Sequence, residues 1–224
     1  TASPAINAGD NAADLDGTGP LTATLSAVPS DLDGNPRIVN TAVDLGAYEH
    51  QGFPCPAGGV VYVDADAPGP HTGASWGEAF AVLQDALSVI APCEIWVAEG
   101  VYYPDTDNLH SEDIPAATFQ LASGIALYGG FAGTETARDQ RDWAANLTIL
   151  SGDIGQDDLN SDGNFIAETW TDIQGMNAYH VLTAFDPNAT AVLDGFVITA
   201  GGQWDGSEDR GGGLYSLQSS PQLL

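Results

Sequence analysis

The sequence predicts an all-β protein made of many short strands behind a single helical segment. Three observations lead there. Short apolar, β-branched runs recur along the chain, separated by turns rich in Gly and Asp. Helical spacing occurs in one place, residues 75–90, and no second helix interrupts the strands, which argues against a βαβ sheet. The runs are apolar along their length, as parallel strands stacked in a solenoid are. Spacing is irregular, with insertions at 104–117 and 152–179, so periodicity alone leaves a β-sandwich open.

Taken in order, residues 1–50 are dense in Gly, Pro, Asn and Asp, with strand-like runs only at 21–28 and 36–48. Residues 51–59, Gln-Gly-Phe-Pro-Cys-Pro-Ala-Gly-Gly, form a boundary. Val60–Val63 reads as a strand. Residues 75–90 read as an amphipathic helix: Ser75 and Glu78 make a capping box, Phe80, Leu83, Leu87 and Ile90 share a face, and Pro92 stops it. Such a helix ahead of strands suits a cap over an open solenoid end. Further strands are expected at 94–98, 101–103, 118–121, 125–128, 148–151, 180–183, 191–199, 213–216 and 221–224.

Several segments carry a resemblance. Residues 3–9 (Ser-Pro-Ala-Ile-Asn-Ala-Gly), 31–37 (Asp-Leu-Asp-Gly-Asn-Pro-Arg) and 43–49 (Val-Asp-Leu-Gly-Ala-Tyr-Glu) form one group. Ile95–Pro104, Leu127–Glu135, Gln140–Trp143, Thr148–Asp153, Val192–Thr199 and Gly211–Tyr215 form another. In this order they resemble secreted bacterial right-handed parallel β-helix (pectate-lyase-like) repeat proteins. The resemblance implies a right-handed parallel β-helix with an N-terminal capping helix. It assigns 1–50 to a closing module like the C-terminal end of such a unit, 51–59 to a linker, and 60–224 to the cap and first coils of the next. Thr1 then begins inside a motif and 211–224 stop in mid-pattern, so the sequence reads as a mature or partial product.

Acidic residues number 31 against four arginines and no lysine, a formal charge of −27. That charge repels nucleic acid and anionic lipid, and no apolar run is long enough to span a bilayer. Asp outnumbers Glu, 23 to 8, which favours turns and ion-binding loops over helical surface charge. Two readings compete: specific Ca²⁺ binding outside the cell, or diffuse acidity suited to high salt. The best Ca²⁺ candidate is Asp158, Asn160, Asp162 and Asn164, alternating oxygens around Gly163; Thr169 stands where a closing Glu is expected, and a solvated Asx turn is the alternative. Asp14 with Asp16 and Asp31 with Asp33 are shorter versions, and Asp64/Asp66 and Asp105/Asp107 weaker ones. In a secreted chain the pair Cys55 and Cys93 reads as a disulfide; two buried thiols are the alternative, disfavoured by the Pro/Gly setting of Cys55.

Catalysis finds little support. Lyases on this fold use Ca²⁺ with an Arg or Lys base, but Arg138 and Arg141 lie beside Asp139 and Asp142, which suggests local pairing. The four histidines lack metal spacing, and Gly129–Gly133 lacks the helix and lysine of a phosphate loop, so it reads as a solenoid corner. Trp96 and Trp76 read as packing residues, whereas Trp170 and Trp204 sit in acidic loops and are candidates for ligand or subunit contact. Asn146 and Asn188 head glycosylation sequons. The expectation is a non-enzymatic extracellular or cell-surface structural protein, a fibre subunit or adhesin stalk, stabilised by Ca²⁺ and associating head to tail or within a larger parent chain. The alternative is a carbohydrate-binding or polysaccharide-degrading β-helix.

Overall fold

The computed structural model describes residues 52–69, 71–90, 92–106, 115–185, 190–202, 212–217 and 219–224. The chain divides into two compact units, Thr1–Phe53 and Pro54–Leu224, and nearly all of the described residues belong to the second. The closing module at 1–50, with Asp14, Asp16, Asp31 and Asp33, lies outside the described residues, as do Asp107, Trp204 and Asn188.

The described unit is mostly β, with parallel sheets and little helix. Its main strands are β1 (Val60–Val63), β2 (Cys93–Ala98), β3 (Gly100–Tyr102), β4 (Phe119–Gln120), β5 (Ile125–Phe131), β6 (Thr148–Ser151), β7 (Leu182–Ala184), β8 (Val192–Asp194), β9 (Phe196–Thr199), β10 (Leu214–Ser216) and β11 (Gln222–Leu223). They form three parallel sheets. The first is β1-β2-β5-β8-β11 in space, the second β3-β6-β9, the third β4-β7-β10. From β2 onward the chain visits first, second and third sheet in turn and repeats the circuit until β11.

This order stacks like upon like. In the first sheet Val61, Ile95, Leu127, Leu193 and Leu223 occupy one register column. The first four are at most 4% exposed. Val101, Ile149 and Val197 align in the second sheet, and Phe119, Leu182 and Leu214 in the third. Each fully buried Leu or Ile in these columns contributes about 1.5–3 kcal/mol. The corner between β8 and β9 falls at Gly195, which splits the single run expected over 191–199. Its φ of +80° favours glycine, and a Cβ there would sit 2.9 Å from the Gly129 carbonyl oxygen.

The opposite face of the first sheet is also covered, which explains the lack of alternation in its sequence. Tyr62, Trp96, Tyr128 and Asp194 form its column. Trp96 stacks on Phe131 with centroids 4.8 Å apart, and Trp76 meets Tyr62 edge-on at 4.8 Å. Trp96 and Trp76 are thus packing residues. Arg138 lies over the Tyr128 ring at 4.5 Å and Arg141 at 5.2 Å. Their ion partners are Glu94 and Asp194, far along the chain, and not the adjacent Asp139 and Asp142 that the sequence suggested.

The long capping helix does not form. Residues 75–90 hold a 3₁₀ turn, Trp76–Glu78, and a single α turn, Leu83–Ala86. The reason lies at the edge of β1. Phe80 bridges Val63 in parallel, donating its N–H to the Tyr62 carbonyl while its own carbonyl accepts from Asp64, and that extended residue breaks the helix. Glu78 does not close a box with Ser75; its carboxylate accepts from the Thr72 hydroxyl at 2.8 Å. Of the apolar positions expected on one face, Leu83 is buried, whereas Phe80 and Leu87 are only partly so. Gly129 and Gly130 differ from the expected corner too: β5 runs through both. Gly130, at φ +90°, admits the Trp143 backbone, which a Cβ would approach to 2.7 Å.

Candidate functional site

The insertion between β6 and β7, residues 152–179, carries the densest chemistry among the described residues. It contains Asp153, Asp157, Asp158, Asp162, Glu168 and Asp172 and no Lys, Arg or His. Backbone pairing holds its ends against the coil: Gly152 donates to the Thr199 carbonyl and Ala178 to that of Gly152. Two polar links pin its middle. Ala167 N–H reaches Thr199 Oγ1 at 2.9 Å, and buried Asn177 donates from Nδ2 to the Ala200 carbonyl and to Asp158 Oδ2, both at 3.0 Å.

Beneath these links lies a pocket of about 200 Å³. Asp153, Asp158, Asn160 and Tyr103 give it polarity; Leu159, Phe165 and Ile166 give it an apolar wall. Asp153 accepts the N–H groups of Asp157 (3.1 Å) and Asp158 (3.3 Å). Asp158 Oδ1 accepts from Gln174 N–H at 2.5 Å. Carboxylate oxygens of Asp153, Asp157 and Asp158 come within 4.8 Å of one another. Burial, with the neighbouring charges adding to it, pushes Asp153 and Asp158 above the usual carboxylate range despite their N–H partners. Burial and then the charges of Asp153, Asp158 and Asp105 likewise raise the Tyr103 hydroxyl.

The backbone is strained here. Gln156, Phe165 and Ala200, at φ 52°, 60° and 59°, are the non-glycine residues in the left-handed region among those described, and all three line the pocket. Each such residue costs on the order of 1–2 kcal/mol, and such residues cluster at functional sites.

The residues singled out from sequence separate. Asp158 and Asn160 line the pocket, whereas Asp162 and Asn164 do not. Asn160 Oδ1 accepts from Phe165 N–H at 2.9 Å, Asp162 accepts from the Asn164 backbone and side chain, and Asn164 Nδ2 also donates to Glu168 at 2.7 Å. The Asp162 and Asn164 oxygens are thus engaged in Asx-type turns, Asn164 Oδ1 accepting from Ile166 N–H at 2.8 Å. Asp153 and Asp157 escape the sequence reading. The signal for them is the Asp-x-x-x-Asp-Asp spacing straight after strand 148–151, because a turn of that length returns the second pair to the first residue. Asp64 and Asp66 also form a turn, Asp66 N–H to Asp64 Oδ1 at 2.9 Å.

Trp170 is 84% exposed on the same insertion. Asn146 is half-buried and donates to the Gly130 carbonyl at 3.3 Å, while the Thr148 of its sequon is buried. Cys55 and Cys93 are joined in a disulfide, with Cα atoms 5.7 Å apart.

No protein-family model, no curated protein and no solved structure matches the chain.

Proposed function

We propose that the chain is part of an extracellular structural scaffold built on a right-handed parallel β-helix, and that it is not a catalyst. The observation that carries this reading is the repeating visit of the chain to three parallel sheets, with like residues aligned from circuit to circuit. An architecture of this kind buries one continuous core and displays its insertions on the flank, which suits spacing and presentation. The Cys55–Cys93 disulfide supports an oxidising compartment. Association of copies is part of the proposal, but it cannot proceed by adding a strand to β1. The Tyr62 backbone already pairs with Gly73 and Phe80 on that side.

Two measurements test the proposal together: electron microscopy of the native material, with Ca²⁺ and after chelation, and incubation with neutral and acidic polysaccharides. Stacked rungs without polysaccharide turnover are expected. Depolymerisation that is lost in Asp153→Asn or Asp158→Asn would overturn the scaffold reading. Defined sugar binding without turnover would favour the carbohydrate reading, for which exposed Trp170 is the first residue to replace.

A further inference from the structure

The disulfide matters for what it encloses. Between Cys55 and Cys93 lie β1, the turns Trp76–Glu78 and Leu83–Ala86, and Phe80, the residue that blocks the outer edge of β1. The backbone bonds that hold this block all run between residues inside the closed span: Tyr62 N–H to the Gly73 carbonyl, Phe80 N–H to that of Tyr62, and Asp64 N–H to that of Phe80. In its sheet β1 has one neighbour, β2, joined from Val60–Glu94 to Val63–Val97. β2 has two, because its other edge pairs with β5 from Cys93–Ile125 to Ala98–Phe131. Held by one ladder at the end of the sheet, β1 is the strand that a pull on the preceding chain would peel first.

Covalent connectivity changes that order. A pull arriving at Pro54 passes from Cys55 through the sulfur–sulfur bond to Cys93, the first residue of β2, and residues 56–92 bear none of it. β2 then yields only by leaving β5, where Trp96 stacks on Phe131 and fully buried Ile95 aligns with Leu127. We propose that the Cys55–Cys93 disulfide is a redox-set mechanical lock, which takes the first coil out of the load path and makes the doubly paired β2 the first strand of the unit to yield. Reduction moves the load to β1. Peeling β1 bares the β2 edge at Glu94–Val97, and an unpaired edge is open to a strand from another chain. The lock thus keeps the covered end of the sheet covered under tension. It rests on the ladder order and the disulfide alone, and needs neither a fibre nor an extracellular location.

The test is single-molecule pulling on the full chain, held at its two termini. The oxidised protein is compared with the folded protein reduced by dithiothreitol and with a Cys55→Ser, Cys93→Ser variant. Dithiothreitol gives the disulfide two electrons and two protons, leaving two thiols, and closes to its own cyclic disulfide. The reduced protein and the variant are expected to lengthen by about 130 Å more than the oxidised protein, the reach of the 38-residue span. That length is expected in a step the oxidised protein lacks, ahead of the removal of β2 and at lower force. Any event from residues 1–53 is common to all three forms. Phe80→Ala is expected to lower the force of the early step in the reduced protein. In the oxidised protein it should leave the first event of the unit unchanged, because Phe80 then lies outside the load path. Added length released with the β2 event or after it would overturn the proposal, as would an oxidised first event that Phe80→Ala weakens. The reduced native protein, already folded, supplies the same reading where the double variant does not fold.

Discussion

Arg141 reaches from the 132–147 excursion across the first sheet to the Asp194 carboxylate, joining two segments that are remote in sequence. Both side chains are about one-sixth exposed, at 16% and 17%, and the guanidinium also donates to the Gly129 and Asp194 carbonyls at 3.3 Å. Removing one partner of such a pair leaves the other charge in a poorly solvated place. Arg141→Ala is expected to cost about 3 kcal/mol in chemical denaturation. Arg141→Lys should recover only part of that, because one ammonium cannot reproduce the fork that serves three acceptors.

Reduction should weaken the fold. The disulfide closes a span of 38 residues between the linker and the start of β2. For a loop of that size the loss is about 3–4 kcal/mol, by constraint of the unfolded chain. A Cys55→Ser, Cys93→Ser variant and the reduced native protein should therefore melt together, well below the oxidised protein. Equal melting of reduced and oxidised protein would refute this.

Acidification should stabilise the chain before it harms it. Asp153 and Asp158 are raised in the folded state, so folding favours their protonated forms. Their stabilising contribution is complete below the ordinary carboxylate range and is lost as pH rises through the raised range. Asp157, Asp105 and Tyr103 face the same group and add no positive charge. Melting temperature in chelator should climb as pH falls through that raised range towards the ordinary carboxylate range. Asp158→Asn should flatten that slope. A profile unchanged by the substitution would remove the pocket as its source.

Column position should set the cost of truncation. Leu127 is fully buried between Ile95 and Leu193, whereas Leu223 in the same column is 54% exposed. Leu127→Ala is expected to cost about 3 kcal/mol and Leu223→Ala less than about 1 kcal/mol. Similar values for both would mean that the column is not the core of this unit.

Much of the strand pattern is legible in the sequence, and the reasons are local. Val60–Val63 and Thr148–Ser151 appear at their expected bounds, because β-branched runs between turn residues have few other options. The helix over 75–90 fails because its apolar spacing is satisfied equally by two short turns around Phe80. The decisive fact, an edge of β1 ready to pair, is tertiary. The ion partners of Arg138 and Arg141 escape for the same reason: adjacent Asp139 and Asp142 are near in sequence, yet Glu94 and Asp194 are presented on the sheet face. In the pocket, Asp158 stands out through its Asx-rich neighbours, whereas Asp153 is visible only once the turn back to Asp157 and Asp158 is known.

The circuit of the chain through three sheets also governs how quickly it can reach its native state. No ladder joins β2 to β3 or β3 to β4; each strand waits for a partner a full circuit away, as Ile95 waits for Leu127 and Leu127 for Leu193. The 152–179 insertion lengthens one of those waits further. Loop closure must precede every pairing in these three sheets, so none of them zips from a hairpin, and contacts of this separation belong to chains that fold in milliseconds to seconds or more slowly. Once two circuits have paired, each can serve as the template on which a neighbour is laid.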